Sequence, residues 1–533
     1  MRNRTGHALT GFAFLLALLA LTACSPENPA PDNPVPAGDW RLPEGYYEPA
    51  KMPMVLVHPR PEAPGWAYAR NAYPGLRWEI PIVVQGGAWP FRYEIADDGG
   101  AEGLEIGGEM TRIREGGWIL RRPTPEYGTL WWDDPKPGSY DLKLRVTDQE
   151  GSTLDLAFTL TVGTEGWVFV DAERGSDATG DGSLERPFAS LQPLHGDPSP
   201  YAHQRVVLAG VVPMNGNQTN GNLRIADDLA PRIYVGWPGR EAVLEAFEGK
   251  INVDSPDFYL ANLEFRDRSD YAPDTGSYLH MITVWDDTRR FTMHRVHVSR
   301  FQGVPHNVGY GNSGVIMFTN NGGQRYHVAM VGNTFSGPGG IVSSIYALRE
   351  SVFERNVVRD AELNIADGSV WGLFYFKRDN EYVSVRANEI WQNNTWNIGQ
   401  SPLAMDQSRL IEFAYNVLRA PWSSGRHGAL KLFTATEASG YAWTAATPVW
   451  IYRNSLRQRV SWEGSRIANA ADGFLRIKRN ALHEGSFEGH RTVVLEGNLE
   501  GAPLLDERMR LTGSYRTDYL GRVGAEIAAP APE

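Results

Sequence analysis

The chain has 533 residues, with 63 acidic against 51 basic side chains, a formal net charge of -12, and a single cysteine. That balance excludes a nucleic-acid binder, which carries a basic face, and a polyanionic partner would need a local basic patch. One thiol excludes disulfides and cysteine-rich zinc sites, while 56 Gly, 35 Pro and 11% aromatic residues point to a turn-rich, secreted all-β chain.

The N-terminus reads as a processed leader over residues 1–23. Arg2 and Arg4 precede an apolar run from Gly11 to Ala20 that is too short to span a bilayer and is followed by a processing site. That site, Leu21-Thr22-Ala23-Cys24, resembles a bacterial lipobox. The resemblance implies that Cys24 is lipidated, and Ser25 after it implies sorting to the outer membrane as a lipoprotein, with the lipid as the only membrane attachment. Residues 24–65 begin with a proline-rich stretch, Ser25 to Gly38, that can bury nothing and serves as a tether.

Residues 66–164 read as a small β-sandwich. Alternation over Tyr140–Val146 and Leu154–Val162, separated by the turn-forming Asp148-Gln149-Glu150-Gly151, predicts a hairpin with one buried face. With Gly86-Gly87-Ala88-Trp89-Pro90 and Gly138-Ser139-Tyr140, this segment resembles the bacterial immunoglobulin-like and cadherin-like modules, which implies a spacer rather than a catalyst.

From Trp167 the chain enters a second domain, residues 165–520, with a polar tail over 521–533. Its opening strand Trp167–Asp171 leads into an Asp/Gly-rich loop, in which Asp177 and Asp181 are either turn residues or calcium ligands. Further on, one pattern recurs six times: an apolar residue, two variable residues, Asn, a variable residue and another apolar residue. The Asn residues are 333, 356, 388, 416, 454 and 480. A repeat of 20 to 50 residues with insertions of varying length marks a solenoid, which also lets a long chain fold without one oversized core. An Asn that can adopt a left-handed backbone turns the chain in each coil, and stacking places Asn over Asn as an internal ladder. The pattern resembles the right-handed parallel β-helix of the pectate lyase-like superfamily over most of residues 166–520. A fold does not state an activity.

The resemblance implies a substrate groove on one parallel sheet, floored by outward side chains. Gly314–Thr319, Gly372–Lys377 and Gly428–Phe433 align on their glycines, so the outward column reads Met317, Tyr375 and Lys431, with Lys377 beside it. Lys431, between two inward leucines, is the first candidate for a general base, crowded by Arg426 and His427. In β-elimination from a uronate polymer Lys431 takes the proton, Arg426 or Lys377 neutralises the carboxylate, and His427 returns a proton. This resembles the Lys and Arg pairs of the alginate lyase and chondroitinase B branch. A loop after Phe433 brings Tyr441 and Trp443 to the groove as sugar-stacking candidates, and Trp391, Trp396 and Trp422 belong to nearby turns.

Asp360, Glu362, Asp367, Asp379 and Glu381 cluster as the carboxylates of a hydrolase reading, in which acid and base face each other across the bond. Asp367, Asp379 and Glu381 are alternatively ligands for calcium, the only cofactor left open. Asp286-Asp287 follows a strand and marks a turn, and His280, His294, His297 and His306 show no metal spacing. The expectation is a monomeric, surface-anchored polysaccharide-active protein, a lyase of an acidic glycan in the first instance. The alternatives are a non-catalytic carbohydrate binder or adhesin, and a hydrolase or epimerase on the same scaffold.

Overall fold

A computed structural model describes residues 52–60, 68–115, 118–214, 222–226, 228–246, 250–267, 280–285, 288–299, 314–319, 323–337, 341–361, 372–392, 401–419, 430–432, 447–457, 460–462, 471–483, 486–487, 491–501 and 505. Cys24 and the expected leader lie outside them. Among the described residues the only helix is a 3-10 turn at Gln192–Leu194; everything else with regular structure is strand.

From Trp167–Asp171 onward every strand pairing is parallel. Twenty-three strands form one continuous sheet and nine more, from Leu223–Ala226 to Val460–Trp462, form another. The chain is therefore an all-β parallel β-helix. A coil contributes a strand to ladder I (for example Glu381–Arg386), turns, from Asn333 onward at an Asn, adds a strand to ladder II (Glu389–Gln392), and then reaches sheet III (Ser401–Met405). One apolar core runs through the coils, with Met330, Phe353, Val385, Phe413, Ile451 and Ile477 stacked along it.

The Asn ladder is continuous and longer than expected. From Asn333 to Asn480, each backbone N–H and side-chain amide donates to the Oδ1 of the Asn in the next coil at 2.9–3.2 Å. The other amide hydrogen is taken by a carbonyl of the preceding coil, as from Asn416 to Val385 at 2.9 Å. The ladder ends on Asn498, which the repeat pattern missed because Glu500 stands where an apolar residue was required. The left-handed residue is not the Asn but the one before it: Arg355, Ala387, Tyr415, Arg453 and Arg479 have φ between 51° and 57°, with Gly332 and Gly497 in the same role. The Asn can then direct its amide into the coil while its neighbour makes the bend.

The N-terminal part folds as expected around the hairpin Gly138–Thr147 and Thr153–Val162, paired over ten residues. These strands join a four-stranded sheet, and Trp78–Pro81, Thr129–Trp132 and Leu104–Ile106 form a second sheet sharing its core. It is not a detached spacer. Its core continues into the outer face of ladder I through Trp167, Phe169, Tyr259, Tyr415 and Tyr452, while Val57 and Val83 pack on Ala329, Val331 and Val352. Trp89 lies 4.7 Å from the Tyr415 ring, and Gly86 N–H donates to Ser384 Oγ at 3.1 Å.

At the centre of this contact Arg386 is fully buried. It donates to Glu354 at 2.7 Å and Glu412 at 3.4 Å, and its guanidinium also reaches the carbonyls of Val84 and Gly86. Burial pushes the Glu412 carboxyl up, and the opposing Arg386 holds it down only in part.

Two outcomes are expected in denaturant unfolding of the protein. Asn416→Ala removes the side-chain partner of the buried Asn388 N–H and Val385 carbonyl and breaks the amide ladder between Asn388 and Asn454, and costs about 2–4 kcal/mol. Arg386→Met strands Glu354 and Glu412 in the interface and costs about 3–5 kcal/mol at neutral pH. That second loss shrinks as the pH falls, because the raised Glu412 pKa lets the buried carboxyl take up a proton.

Candidate functional site

With ladder I covered, outward side chains remain for function on sheet III and ladder II. On sheet III the register runs Met317, Ser344, Tyr375, Ala404, Lys431, Ser461. Met317, Tyr375 and Lys431 do share one column, but with two strands interposed that the glycine alignment passed over. Ile341–Tyr346 carries Ser343-Ser344 and Ser401–Met405 carries Pro402, and these residues erase the apolar alternation by which a strand is recognised. Lys431 is thus two strands from Tyr375, at about 4.8 Å per strand.

The structure assembles its chemistry around Lys377. Phe374 and Phe376 fill the core, so Tyr375 and Lys377 point outward. The Lys377 Nζ lies 5.1 Å from the ring centroid of Tyr375, on its own strand, and 5.1 Å from that of Tyr346, on the neighbouring strand. Ammonium over an aromatic face is an attractive geometry. A register shift between Ile345 and Tyr346 pairs Tyr346 with Arg378, which brings a second cation beside the amine.

Burial dominates the electrostatics, lowering Lys377 from 10.5 to about 8; Arg378 lowers it further and Asp406 opposes. The Tyr346 phenol moves the other way, raised by burial. At pH 7 an amine of pKa about 8 is neutral in roughly one molecule in ten, against roughly one in three thousand at the ordinary value. The floor on the neighbouring strand is polar and closed: Ser344, paired with Tyr375, is 3% exposed and its hydroxyl has no hydrogen-bond partner. Tyr375, 6% exposed, packs on Ala404.

The remaining candidates fall in different places. Arg426, His427, Tyr441 and Trp443 lie outside the described residues, as do Asp367, Trp396 and Trp422. Lys431 is placed by its backbone register alone. Trp391 is on ladder II, not beside the sheet III column. Of the clustered carboxylates, Glu381 is engaged by Arg349 at 3.2 Å and Arg409 at 3.0 Å on ladder I, and Asp379 occupies a left-handed turn position.

The loop carboxylates of the opening segment also have structural work. Asp177 accepts from the N–H of Ala189 and Ser190 and from the Ser190 hydroxyl, and Asp181 caps Ser183 and pairs with Arg186. Among the described residues no three His, Cys, Asp or Glu side chains are grouped to hold a metal. His294 is buried in the contact with the N-terminal sheets, and His297 bonds Ser336 at 2.9 Å. No protein-family model matches the chain, and no curated protein matches its sequence.

A desolvated lysine opposes folding while it is charged. Between pH 8 and 10.5 the unfolded chain binds more protons at this position than the folded one, so stability rises with pH across that window. Lys377→Met therefore stabilises the fold at pH 7 by on the order of 1 kcal/mol, and the gain vanishes near pH 10.5. Thermal melts of both proteins across this range check it.

Proposed function

We propose that this protein is a polysaccharide-active β-helix enzyme, a lyase acting on an acidic glycan at the outer face of sheet III, with Lys377 rather than Lys431 as its base. The observation that carries this reading is the Lys377 amine held between the Tyr346 and Tyr375 rings with its pKa brought to about 8. A general base works best with a pKa near the operating pH, and burial and neighbouring charges are how proteins bring a lysine there.

In this mechanism the free Lys377 amine removes the C5 proton of a uronate residue. The electron pair forms the C4–C5 double bond as the C4–O4 glycosidic bond breaks, and the departing oxygen takes a proton from the Tyr346 phenol. Burial keeps that phenol protonated, as a donor must be. Arg378 offsets the uronate carboxylate and so acidifies the neighbouring proton, and Lys431, along the same outward column, binds an adjoining carboxylate. The resemblance to pectate lyase-like proteins and to a lipobox supports the wider setting, in which the enzyme is tethered through Cys24 to the bacterial outer membrane and meets polymer outside the cell.

The test is ultraviolet absorbance from unsaturated uronate with alginate, pectate and chondroitin, with and without calcium. Turnover on one of them should rise with pH through about 8 and level off, following the free amine. Lys377→Met should lower it by at least about a hundredfold while the variant stays folded. Binding without absorbance change on every polymer would instead assign a non-catalytic glycan binder.

A further inference from the structure

The N-terminal sheets meet ladder I along a seam whose chemistry changes between coils. Outward positions of ladder I run Tyr259, Thr292, Ala329 and Val352 in one column and Ala261, His294, Val331 and Glu354 in the other. Strand Val55–His58 lies against them from the N-terminal side: Val57, and the Val83 that pairs with His58, close on Ala329, Val331 and Val352. One coil earlier Thr292 and His294 take the places of Ala329 and Val331, and the His58 ring sits 5.6 Å from that of Tyr259.

His58 and Thr292 are completely buried, and His294 is 1% exposed. A carbonyl can only accept, so His58 Nδ1 carries the hydrogen it donates to Pro81 O at 2.7 Å. Among the described residues, His294 Nδ1 and Thr292 Oγ1 have no hydrogen-bond partner. A permanent seam would be better closed by the apolar pair of the next coil. The charges around the two imidazoles are already matched: Arg295 pairs with Glu79 at 2.8 Å, Arg77 also with Glu79 at 3.1 Å, and Arg355 with Glu354 at 3.2 Å. The Tyr68 and Tyr259 phenols are raised by burial and stay neutral. Burial lowers His58 to about 3 against the Pro81 bond, and lowers His294 well below its ordinary value, with Arg295, Arg355 and His58 adding to the effect.

We propose that this seam is an acid-operated clasp, in which protonation of His58 and His294 parts the N-terminal sheets from ladder I while the coils stay folded. The coils are held by Asn amides and an apolar core, neither of which titrates. Open, both imidazoles regain the ordinary value of about 6.5. Below it the open form binds more protons and gains up to about tenfold per pH unit for each histidine, until the closed form is protonated as well. His327, bonded to Glu350 at 2.8 Å and near Arg60, is lowered by burial and adds in the same sense. Further along the seam Glu412, beside Arg386, acts the other way, since its raised carboxyl takes up a proton first in the closed form. One carboxyl against two imidazoles leaves opening ahead by about tenfold to a hundredfold per pH unit. The clasp stands whether or not Lys377 turns over substrate.

The experiment is hydrogen exchange of the full chain, read by mass spectrometry at about pH 7, 5.5 and 4.5 with the intrinsic rates divided out. Amides of Val55–His58 and Val83–Gln85 should open at least about tenfold more at the lowest pH than at the middle one, while ladder II strands such as Val357–Ala361 and Glu389–Gln392 keep their protection. His58→Asn retains a donor for Pro81, and His294→Leu fills its site without a titrating group. The double variant should lose most of the acid response. If it does not fold, His58→Asn alone decides, with the rise cut by about threefold or more. The proposal is overturned if the double variant keeps the wild-type response, if the seam is no more acid-sensitive than ladder II, or if the coils open together with the seam.

Discussion

The Asn ladder is the interaction on which the rest of the molecule depends. Where a β-helix coil turns, backbone groups leave the sheet and would be buried without partners at a cost of about 1–3 kcal/mol each. Each ladder Asn replaces them with a side-chain amide that bonds both the coil below and the coil above. The position of the Asn then fixes which side chains face in. Two residues on is core, one and three on are surface, and two and four before are the surface of ladder I. The surface columns are consequences of this register, whatever the coil length: the spacing between ladder Asn residues runs from 18 to 38, while from Asn333 to Asn480 the in-and-out order of the next three positions is unchanged.

That fixed register explains why ladder I could accept the N-terminal sheets as a cover. Its outward residues stack into two columns, with Ala329, Val352, Ser384 and Glu412 in one and Val331, Glu354, Arg386 and Ala414 in the other, all buried. Small residues allow a backbone to approach, and the Gly86 and Val84 carbonyls use that approach to reach Arg386. A buried ion cluster of this kind contributes little net stability over an apolar equivalent. It penalises any other register, because sliding the module by one coil would take the Val84 and Gly86 carbonyls away from the buried Arg386.

Much of this is legible in the sequence, and the rest has identifiable causes. Six of the seven ladder Asn residues stand in an apolar frame and can be read directly, as can the hairpin at Tyr140–Val146 and the shared column of Met317, Tyr375 and Lys431. The two intervening strands are hidden by Ser343, Ser344 and Pro402, which a parallel sheet tolerates once its neighbours hold it in place but which local propensity disfavours. The docking of the N-terminal sheets is hidden because Glu354, Arg386 and Glu412 look like ordinary solvated residues until their coils are superposed. The nearness of Tyr346 to Lys377 depends on a sheet III strand that alternation does not reveal, so the sequence points to Lys431, whose flanking leucines are visible.

The same geometry decides how charge acts on this protein. At physiological salt the Debye length is about 8 Å, and coils repeat at about 4.8 Å, so a cation on one coil is felt on the next and largely screened beyond the one after. Scattered over a globular surface, 51 basic side chains among 63 acidic ones would give a weakly negative field everywhere. A solenoid removes that averaging along its axis, since residues some 30 positions apart in sequence become nearest neighbours in a column. An acidic chain can then hold a desolvated amine, Lys377, on sheet III.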